Sequence, residues 1–355
     1  MIRLATVFSG IGAAEQALKQ LDIEHEIVFA CDNGERYLEQ SSEEIANILQ
    51  NFLPEDREQV LRLLYKSTGK VNNVKNSYFA NYEIDESRWF EDIRFIDGKP
   101  FKGQVDLFVG GSPCQSFSTY GKRMGLEDTR GTLFYDYARL IKEIAPKVFI
   151  FENVTGLLNH DKGKTWEIIK EVFESLNYSI TFDVLDSQHY NLPQMRKRLF
   201  VVGIRHDIKK KFKFPDQLDL ETTAAEYLDE DVDSMYYLGE KGFRYVTEGS
   251  RNEGRARVNR DVIGCQTANQ QFNWTGDFRV EIPKQCHLDD DKIFKGEYNG
   301  ELAVARKLTP NECLKLMGFE NFNIVVPDQV MYRQAGNSIA VPVLKEIFKE
   351  ILEVI

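Results

Sequence analysis

The first half of the chain alternates short apolar runs with stretches of helical spacing, and that alternation restricts the architecture more than any other feature. Leu4–Phe8, Ile27–Ala30, Leu107–Val109, Val148–Phe151, Ser179–Val184 and Leu199–Ile204 read as strands. Between them, Ala13–Gln20, Phe134–Ile144 and Trp166–Leu176 read as helices. Strands that alternate with helices form βαβ units, because a parallel pair needs a crossover long enough to hold a helix. The expected class is therefore α/β with a Rossmann-like sheet.

The second half is different. After Pro215 the pattern degrades into aromatic, Gly- and Arg-rich sequence, which predicts a smaller, irregular domain; regular patterning returns near Leu308, and Val341–Val354 reads as a closing helix. The 355 residues suffice for two such domains. Between Glu39 and Asn81, Ile45, Ile48, Leu49 and Phe52, then Val60, Leu61 and Leu64, keep helical spacing and predict an inserted helical subdomain. No apolar run reaches the length of a membrane span, and Met1-Ile2-Arg3-Leu4 leads into a strand rather than a signal peptide. A cytoplasmic protein without membrane association is expected. The five cysteines are widely spaced and form no CxxC pair, which argues against a metal site and a disulfide framework and leaves room for a reactive thiol.

The net charge of −11 does not favour a polyanionic partner, but its distribution does. Acids crowd Asp216 to Glu240 without an intervening Lys or Arg, whereas basic residues crowd Arg196–Lys213 and Lys241–Arg260. A local basic face can hold phosphates on an acidic protein; equally, uneven charge can be a solvated surface.

Phe8-Ser9-Gly10-Ile11-Gly12 follows the first strand and opens a helix, so glycines can admit a ligand to the backbone and to free N–H groups. Asp32 ends the second strand, where nucleotide-binding α/β folds place an acid on the ribose. Asp92, followed by Ile93, is suited to an adenine amino group. Ala13-Ala14-Glu15 interrupts the dinucleotide glycine pattern, so an adenosyl ligand fits better than a nicotinamide dinucleotide.

Gly110-Gly111-Ser112-Pro113-Cys114-Gln115 follows another apolar strand, and ligands bind at such carboxyl ends. A lone Cys is commonly a small core residue, but one after Pro in a Gly- and Ser-rich loop points to chemistry. Glu152-Asn153-Val154 ends the run Val148–Phe151, where a carboxylate is costly unless paired or used. Arg196 and Arg198 share a direction in extended chain and could serve that carboxylate, as catalytic groups or as a plain salt bridge. Gly336-Asn337-Ser338 precedes the last helix.

With these motifs in this order, the chain resembles the DNA (cytosine-5) methyltransferases, of bacterial or phage modification type, nearly end to end. Further matching segments are Asp128-Thr129-Arg130-Gly131-Thr132-Leu133-Phe134, Gln194 to Arg198, Arg306-Lys307-Leu308-Thr309-Pro310, and Met317-Gly318-Phe319. Two features depart: Asn33 stands where some members carry an aromatic residue, and the segment between Asp32 and Asp92 is longer than in compact members. The resemblance implies a Rossmann-like S-adenosylmethionine-dependent methyltransferase domain over 1–208 with the insertion at about 39–81, a target-recognition domain over 209–329, and a segment 330–355 that returns to the catalytic domain. It implies that Cys114 adds to C6 of a flipped cytosine, that Glu152 contacts N3 and the exocyclic amine, that Arg198 holds O2, and that Arg196 orients a phosphate or Glu152. S-adenosylmethionine would be held by Phe8, Ser9, Gly10, Ile11, Gly12, Asp32, Asn33, Asp92, Ile93, Pro113, Leu133, Asn337 and Ser338.

Double-stranded DNA is the implied partner, held by Gln115, Ser118, Arg130 and Thr267, with Gln115 to Thr132 closing as a loop on Gly121, Gly125 and Gly131. Arg255 and Arg257 are the first candidates for reading bases, with Gln270, Gln271 and Asn273 behind them; each could instead touch only phosphate. A monomer is expected, with a cognate restriction endonuclease as an open question. A tRNA cytosine methyltransferase of the same fold and an inert DNA-binding paralogue are the rival readings. A nicotinamide oxidoreductase fails on the missing pyrophosphate glycines.

Overall fold

The computed structural model describes residues 1–112, 133–248 and 255–355. Two compact units emerge. One comprises Met1–Leu185, Lys197–Asp216 and Leu344–Ile355; the other comprises Asp186–Arg196 and Gln217–Val343. The compact units change over at Gln217 rather than at the expected 209, and Asp186–Arg196 together with 330–343 belongs to the second unit.

The first unit is built on seven strands: β1 (Ile2–Val7), β2 (His25–Cys31), β3 (Trp89–Phe90), β4 (Leu107–Gly110), β5 (Val148–Val154), β6 (Tyr178–Asp186) and β7 (Lys197–Arg205). Their order is β3-β2-β1-β4-β5-β7-β6. β1 pairs in parallel with both β2 and β4, so the chain switches direction across the sheet at β1, and the carboxyl ends of these strands flank a crevice. β7 runs antiparallel to β5, with Val148 opposite Ile204 and Val154 opposite Arg198.

Helices α1 (Ala13–Gln20), α2 (Ser42–Gln50), α3 (Arg57–Ser67), α4 (Asn73–Phe79), α5 (Leu133–Ile144) and α6 (Lys164–Glu174) belong to this unit. In α5, Phe134, Tyr137, Ala138 and Ile141 recur at helical spacing and are buried. Tyr137 stacks on Phe108 of β4 at 5.0 Å between ring centroids, and Phe173 of α6 meets Phe149 of β5 at 4.8 Å. Each such ring contributes roughly 1.5–3 kcal/mol by burial, which fixes the strands relative to the helices. The insertion has its own small core of Ile45, Leu49, Leu61 and Tyr65. Its first helix begins at a capping box formed by Ser41 and Glu44.

The second unit is more regular than its sequence suggests. Its strands β8 (Ala256–Val258), β9 (Gly276–Glu281), β10 (Gly296–Tyr298) and β11 (Glu301–Lys307) form a sheet of order β10-β11-β9-β8. Phe243 and Val246 of α7 (Glu240–Thr247) pack with Phe278, Val280, Ala303 and Ala305 as its core. A short α8 (Gln285–Asp289) is followed by α9 (Pro310–Lys315) and α10 (Asp328–Asn337), and the final α11 (Val341–Leu352) belongs from Leu344 onward to the first unit. Among the described residues, no helix is long and apolar enough to cross a membrane.

Candidate active site

At the crevice end of the first unit, β1 stops at Val7, one residue short of the expected strand, because Phe8 turns to φ +53°. Gly10 (φ +54°) and Gly12 (φ +80°) continue the left-handed path into α1. The two glycines have different reasons. Among the described residues, a Cβ on Gly10 would meet just the Phe8 carbonyl oxygen at 4.0 Å. A Cβ on Gly12 would lie 2.2 Å from the Tyr82 ring, so Gly12 is glycine for packing as well as for its backbone conformation. Ser9 ties the turn to the end of β2: its N–H donates to the Cys31 carbonyl at 3.1 Å, and its hydroxyl accepts the Cys31 N–H at 3.0 Å. Ile11 is fully buried.

Asp32 follows β2 directly. Its carboxylate accepts one bond from the Gly10 N–H at 3.0 Å and one from the Gly34 N–H at 2.8 Å. Burial raises the carboxyl above its ordinary value, and these two backbone donors pull it partly back. One backbone bond per oxygen leaves lone pairs for vicinal hydroxyls. Asn33 closes a turn, accepting from the Glu35 N–H at 3.0 Å and donating to the Arg36 carbonyl at 2.9 Å.

Asp92 is differently placed. Its carboxylate accepts from the Tyr65 hydroxyl at 2.7 Å and from the Arg94 guanidinium at 3.0 and 2.6 Å. The insertion therefore reaches Asp92, a contact the sequence reading missed. It reaches Asp32 as well, since Asn72 donates to the Asp32 carbonyl at 2.9 Å. Ile93 is buried in the main core, and Leu133 packs against that core from the start of α5.

Glu152 lies at the carboxyl end of β5. Arg198 sits across the antiparallel pair opposite Val154, which puts it diagonally beside Glu152 on the same sheet face. Its Nε lies 3.2 Å from the Glu152 carboxylate, and both side chains are about one-sixth exposed, at 17% and 15%. Next to them the end of β4 is packed tightly: a Cβ on Gly111 would fall 2.5 Å from the Glu152 carbonyl oxygen. Asn153, buried, donates from its amide to the Ser112 carbonyl at 2.9 Å. The backbone that leads into residue 113 is thus held from β5. Pro113, Cys114, Gln115, Ser118 and Arg130, with the whole expected closing loop, lie outside the described residues. Two of the described cysteines, Cys31 and Cys313, are buried, and burial pushes both thiols well above their ordinary range, the reverse of what a nucleophile needs.

In the second unit, Arg196 is tied to backbone. Its guanidinium donates to the carbonyls of Gln266 at 2.9 Å, Gly336 at 3.1 Å and Ser338 at 2.5 Å, and it is 3% exposed. Gly336 packs directly on Thr267, whose carbonyl carbon a Cβ would meet at 2.2 Å. Gln194 adds a bond to the Gln266 N–H at 3.0 Å. Arg196 and Gln194 thereby hold Thr267 and Gly336-Asn337-Ser338 in one cluster, with Thr267 itself exposed.

Arg257 needs correcting as a candidate base reader. Its guanidinium pairs with Asp277 at 3.0 and 2.6 Å, and Gly264 packs so closely that a Cβ would lie 2.4 Å from that group. Gln270 and Gln271 are also buried, donating to the carbonyls of Tyr332 and Asp277 at 2.9 Å each. Arg255 and Asn273 remain exposed, and Phe272 joins them at 51% exposure.

A sheet that reverses between β1 and β4 and carries an antiparallel β7 beside β5 is the Rossmann-like architecture of the S-adenosylmethionine-dependent methyltransferases, and the first unit belongs to that class. Comparison with known proteins narrows it. Residues 64–353 match the family described as C-5 cytosine-specific DNA methylase, and the chain belongs to this family. Type II methyltransferase M1.ScrFI of Lactococcus lactis subsp. cremoris is 36% identical over 83% of this chain and 75% of its own length. The orphan methyltransferase M.SPRI of Bacillus phage SPR is 29% identical over 99% and 97%. Among solved structures, the S. pombe Dnmt2 methyltransferase superposes with a TM-score of 0.66 at 18% identity, covering 99% of each chain. A putative DNA modification methyltransferase of an E. coli prophage gives 0.58 at 16%, covering 100% of this chain and 99% of that one. At these identities the structural matches speak for the fold.

Proposed function

We propose that this methylase modifies C5 of a cytosine flipped out of a specific duplex DNA sequence, through a covalent bond between Cys114 and C6. The observation that carries the reading is the Glu152–Arg198 pair at the end of β5, beside the Gly111–Ser112 backbone that leads to Cys114. C5 of cytosine is a weak nucleophile, so a thiolate must first add to C6. Glu152, held in orientation by Arg198, hydrogen-bonds N3 and the exocyclic amine as the ring gains electron density. Arg198 faces O2 of the ring. Because C6 is out of reach inside a stacked duplex, the base must leave the helix. After methylation, loss of the C5 proton to water re-forms the double bond and expels the Cys114 sulfur.

S-adenosylmethionine, when bound, supplies the electrophilic methyl group. The residues fit it: Asp32 keeps lone pairs for ribose hydroxyls, and among the described residues none crowds Gly10 in the turn. Phe8, Ser9, Ile11, Gly12, Asn33, Ile93, Pro113, Leu133, Asn337 and Ser338 complete the proposed set, with Asp92 available to the adenine amine once Tyr65 yields. Thr267, Arg255, Gln115, Ser118 and Arg130 are the proposed contacts to double-stranded DNA. The names of the similar proteins support a place in a restriction-modification or phage modification system.

DNA containing 5-fluorocytosine tests the mechanism, because the fluorine at C5 blocks the final elimination. The wild type should form a denaturation-resistant adduct in the presence of S-adenosylmethionine, and Cys114→Ser should form none. An adduct in the variant would refute the assignment. Bisulfite sequencing of DNA from cells that express the protein maps the sequence it methylates.

A further inference from the structure

Beyond its contacts to Asp92 and Asp32, the helical insertion builds a cleft of about 400 Å³ with an unusual lining. Five cationic side chains, Arg36, Arg62, Lys66, Lys70 and Lys75, face two carboxylates, Glu86 and Glu91. Three of the cations are fixed. Arg36 pairs with Glu91 and lies 4.8 Å over the Tyr65 ring. Arg62 donates to the carbonyls of Glu86 and Trp89 at 2.7 and 2.5 Å, and Lys75 pairs with Glu86. Lys66 and Lys70 are exposed, and among the described residues no carboxylate pairs with them. In a chain of net charge −11, a surplus of positive charge in one cleft is a local exception that calls for a negative occupant.

Its position says which occupant. Arg36 follows the carboxyl end of β2 and Glu91 follows that of β3, on the same edge of the sheet at which β5 presents Glu152. Three strand spacings separate β2 from β5, which is about 14 Å. Along a duplex that distance is about four base pairs, at roughly 3.4 Å for each phosphate of a strand. Lysines act as point charges on flexible stems and suit phosphate without reading sequence.

We propose that this cleft is a second DNA site, in which Lys66 and Lys70 hold backbone phosphodiesters of the duplex that flanks the target cytosine, about four base pairs or more from it. The proposal rests on the DNA-methylase reading and assigns the insertion a task in it: anchoring flanking duplex, independently of the recognition sequence.

The test compares the wild type with Lys66→Gln/Lys70→Gln on two DNAs carrying the mapped sequence. One has long flanks; the other is a hairpin cut to about three base pairs beyond the target. Binding is followed by fluorescence anisotropy against salt concentration. On the long duplex, the slope of log affinity against log salt should fall by about 1.8 in the variant, at about 0.9 for each lost phosphate contact. On the short hairpin, affinity and methylation should match the wild type, which also shows that the variant folds. An unchanged slope on the long duplex, or an equal loss on both DNAs, would overturn the proposal. So would inorganic phosphate shifting the Lys66 and Lys70 resonances while the long-duplex slope stays the same, since the cleft would then be a small-anion site. Because the slope is read by binding alone, it judges the cleft even where the wild type methylates neither DNA.

Discussion

Arg257→Met distinguishes a base reader from a structural ion pair. Asp277 is 9% exposed at its side chain and Arg257 18%, so the pair is mostly desolvated. Methionine keeps the length and apolar stem of arginine but removes the guanidinium bonds, at 3.0, 3.2 and 2.6 Å, leaving Asp277 the Gly264 N–H at 3.2 Å. Removing one partner of a buried pair costs about 3–5 kcal/mol, and the residual exposure places this case near 3. A cost of about 3 kcal/mol corresponds to roughly a hundredfold rise in local opening. Hydrogen exchange by mass spectrometry should therefore show the β8 and β9 amides exchanging about a hundredfold faster. Adding Asp277→Asn removes the stranded charge and should restore most of that protection, because replacing both members is nearly neutral. A variant with unchanged exchange in β8 and β9 but altered preference among DNA sequences would refute the reasoning and return Arg257 to the bases.

Further outcomes concern the first unit. Glu152→Gln should lower single-turnover methylation by about 10²–10⁴-fold with cofactor affinity unchanged, the range expected when a positioned acid–base group is lost; cofactor affinity falling in step would place Glu152 elsewhere. Gly111→Ala must move the Glu152 carbonyl, which lies 2.5 Å from the new Cβ, so kcat should fall by about 10²-fold as a displacement near 1 Å predicts. Tyr65→Phe removes a donor that competes for Asp92, and calorimetry should show S-adenosylmethionine binding up to about fivefold tighter, the value of one hydrogen bond; weaker binding would make Tyr65 itself a ligand. Glu58 is raised to about 7, chiefly by burial. Its carboxyl stays protonated in the fold while the unfolded chain ionises from about 4.5, so the insertion should lose stability as pH rises from 4.5 towards 7, by up to about 3 kcal/mol. Amide exchange in α3 at two pH values measures it, and Glu58→Gln should flatten the dependence.

Long periodic elements were legible in the sequence for a physical reason. Ala13–Gln20 is reproduced as α1, and Val148–Phe151 extends only to Val154, because both carry many apolar residues at one period. The two-residue β3 and the three-residue β8 and β10 have too few positions for any period to show. The second unit therefore read as irregular although it holds a sheet. Site residues fared by the same logic. Glu152 and Arg198 announced themselves because a carboxylate ending an apolar strand is unusual, and the antiparallel register then brings them together. Tyr65 follows Leu61 at helical spacing and reads as core, which it is, so nothing local signals that its hydroxyl reaches Asp92 twenty-seven residues away. Arg257 shows the opposite error: basic residues in an Arg-rich run look like DNA contacts until a partner such as Asp277, far along the chain, is in place.

Arg196 shows how a motif residue can work through the backbone it holds. Three of its bonds end on backbone carbonyls, of Gln266, Gly336 and Ser338, which are separated by about seventy residues of chain. Carbonyls carry no side-chain signature, so no inspection of the sequence pairs them with an arginine. A planar guanidinium with five fixed donors can bridge such points where a lysine could not hold the same angles. Since Gly336 admits no Cβ against Thr267, the two segments must also stay in register for either to keep its shape. Arg196→Lys keeps the charge and loses the fork. If orientation of Thr267 is the main thing the cluster provides, that variant should weaken DNA binding more than S-adenosylmethionine binding, because only Asn337 and Ser338 of the proposed cofactor set share the cluster whereas Asp32 and its turn lie in the first unit.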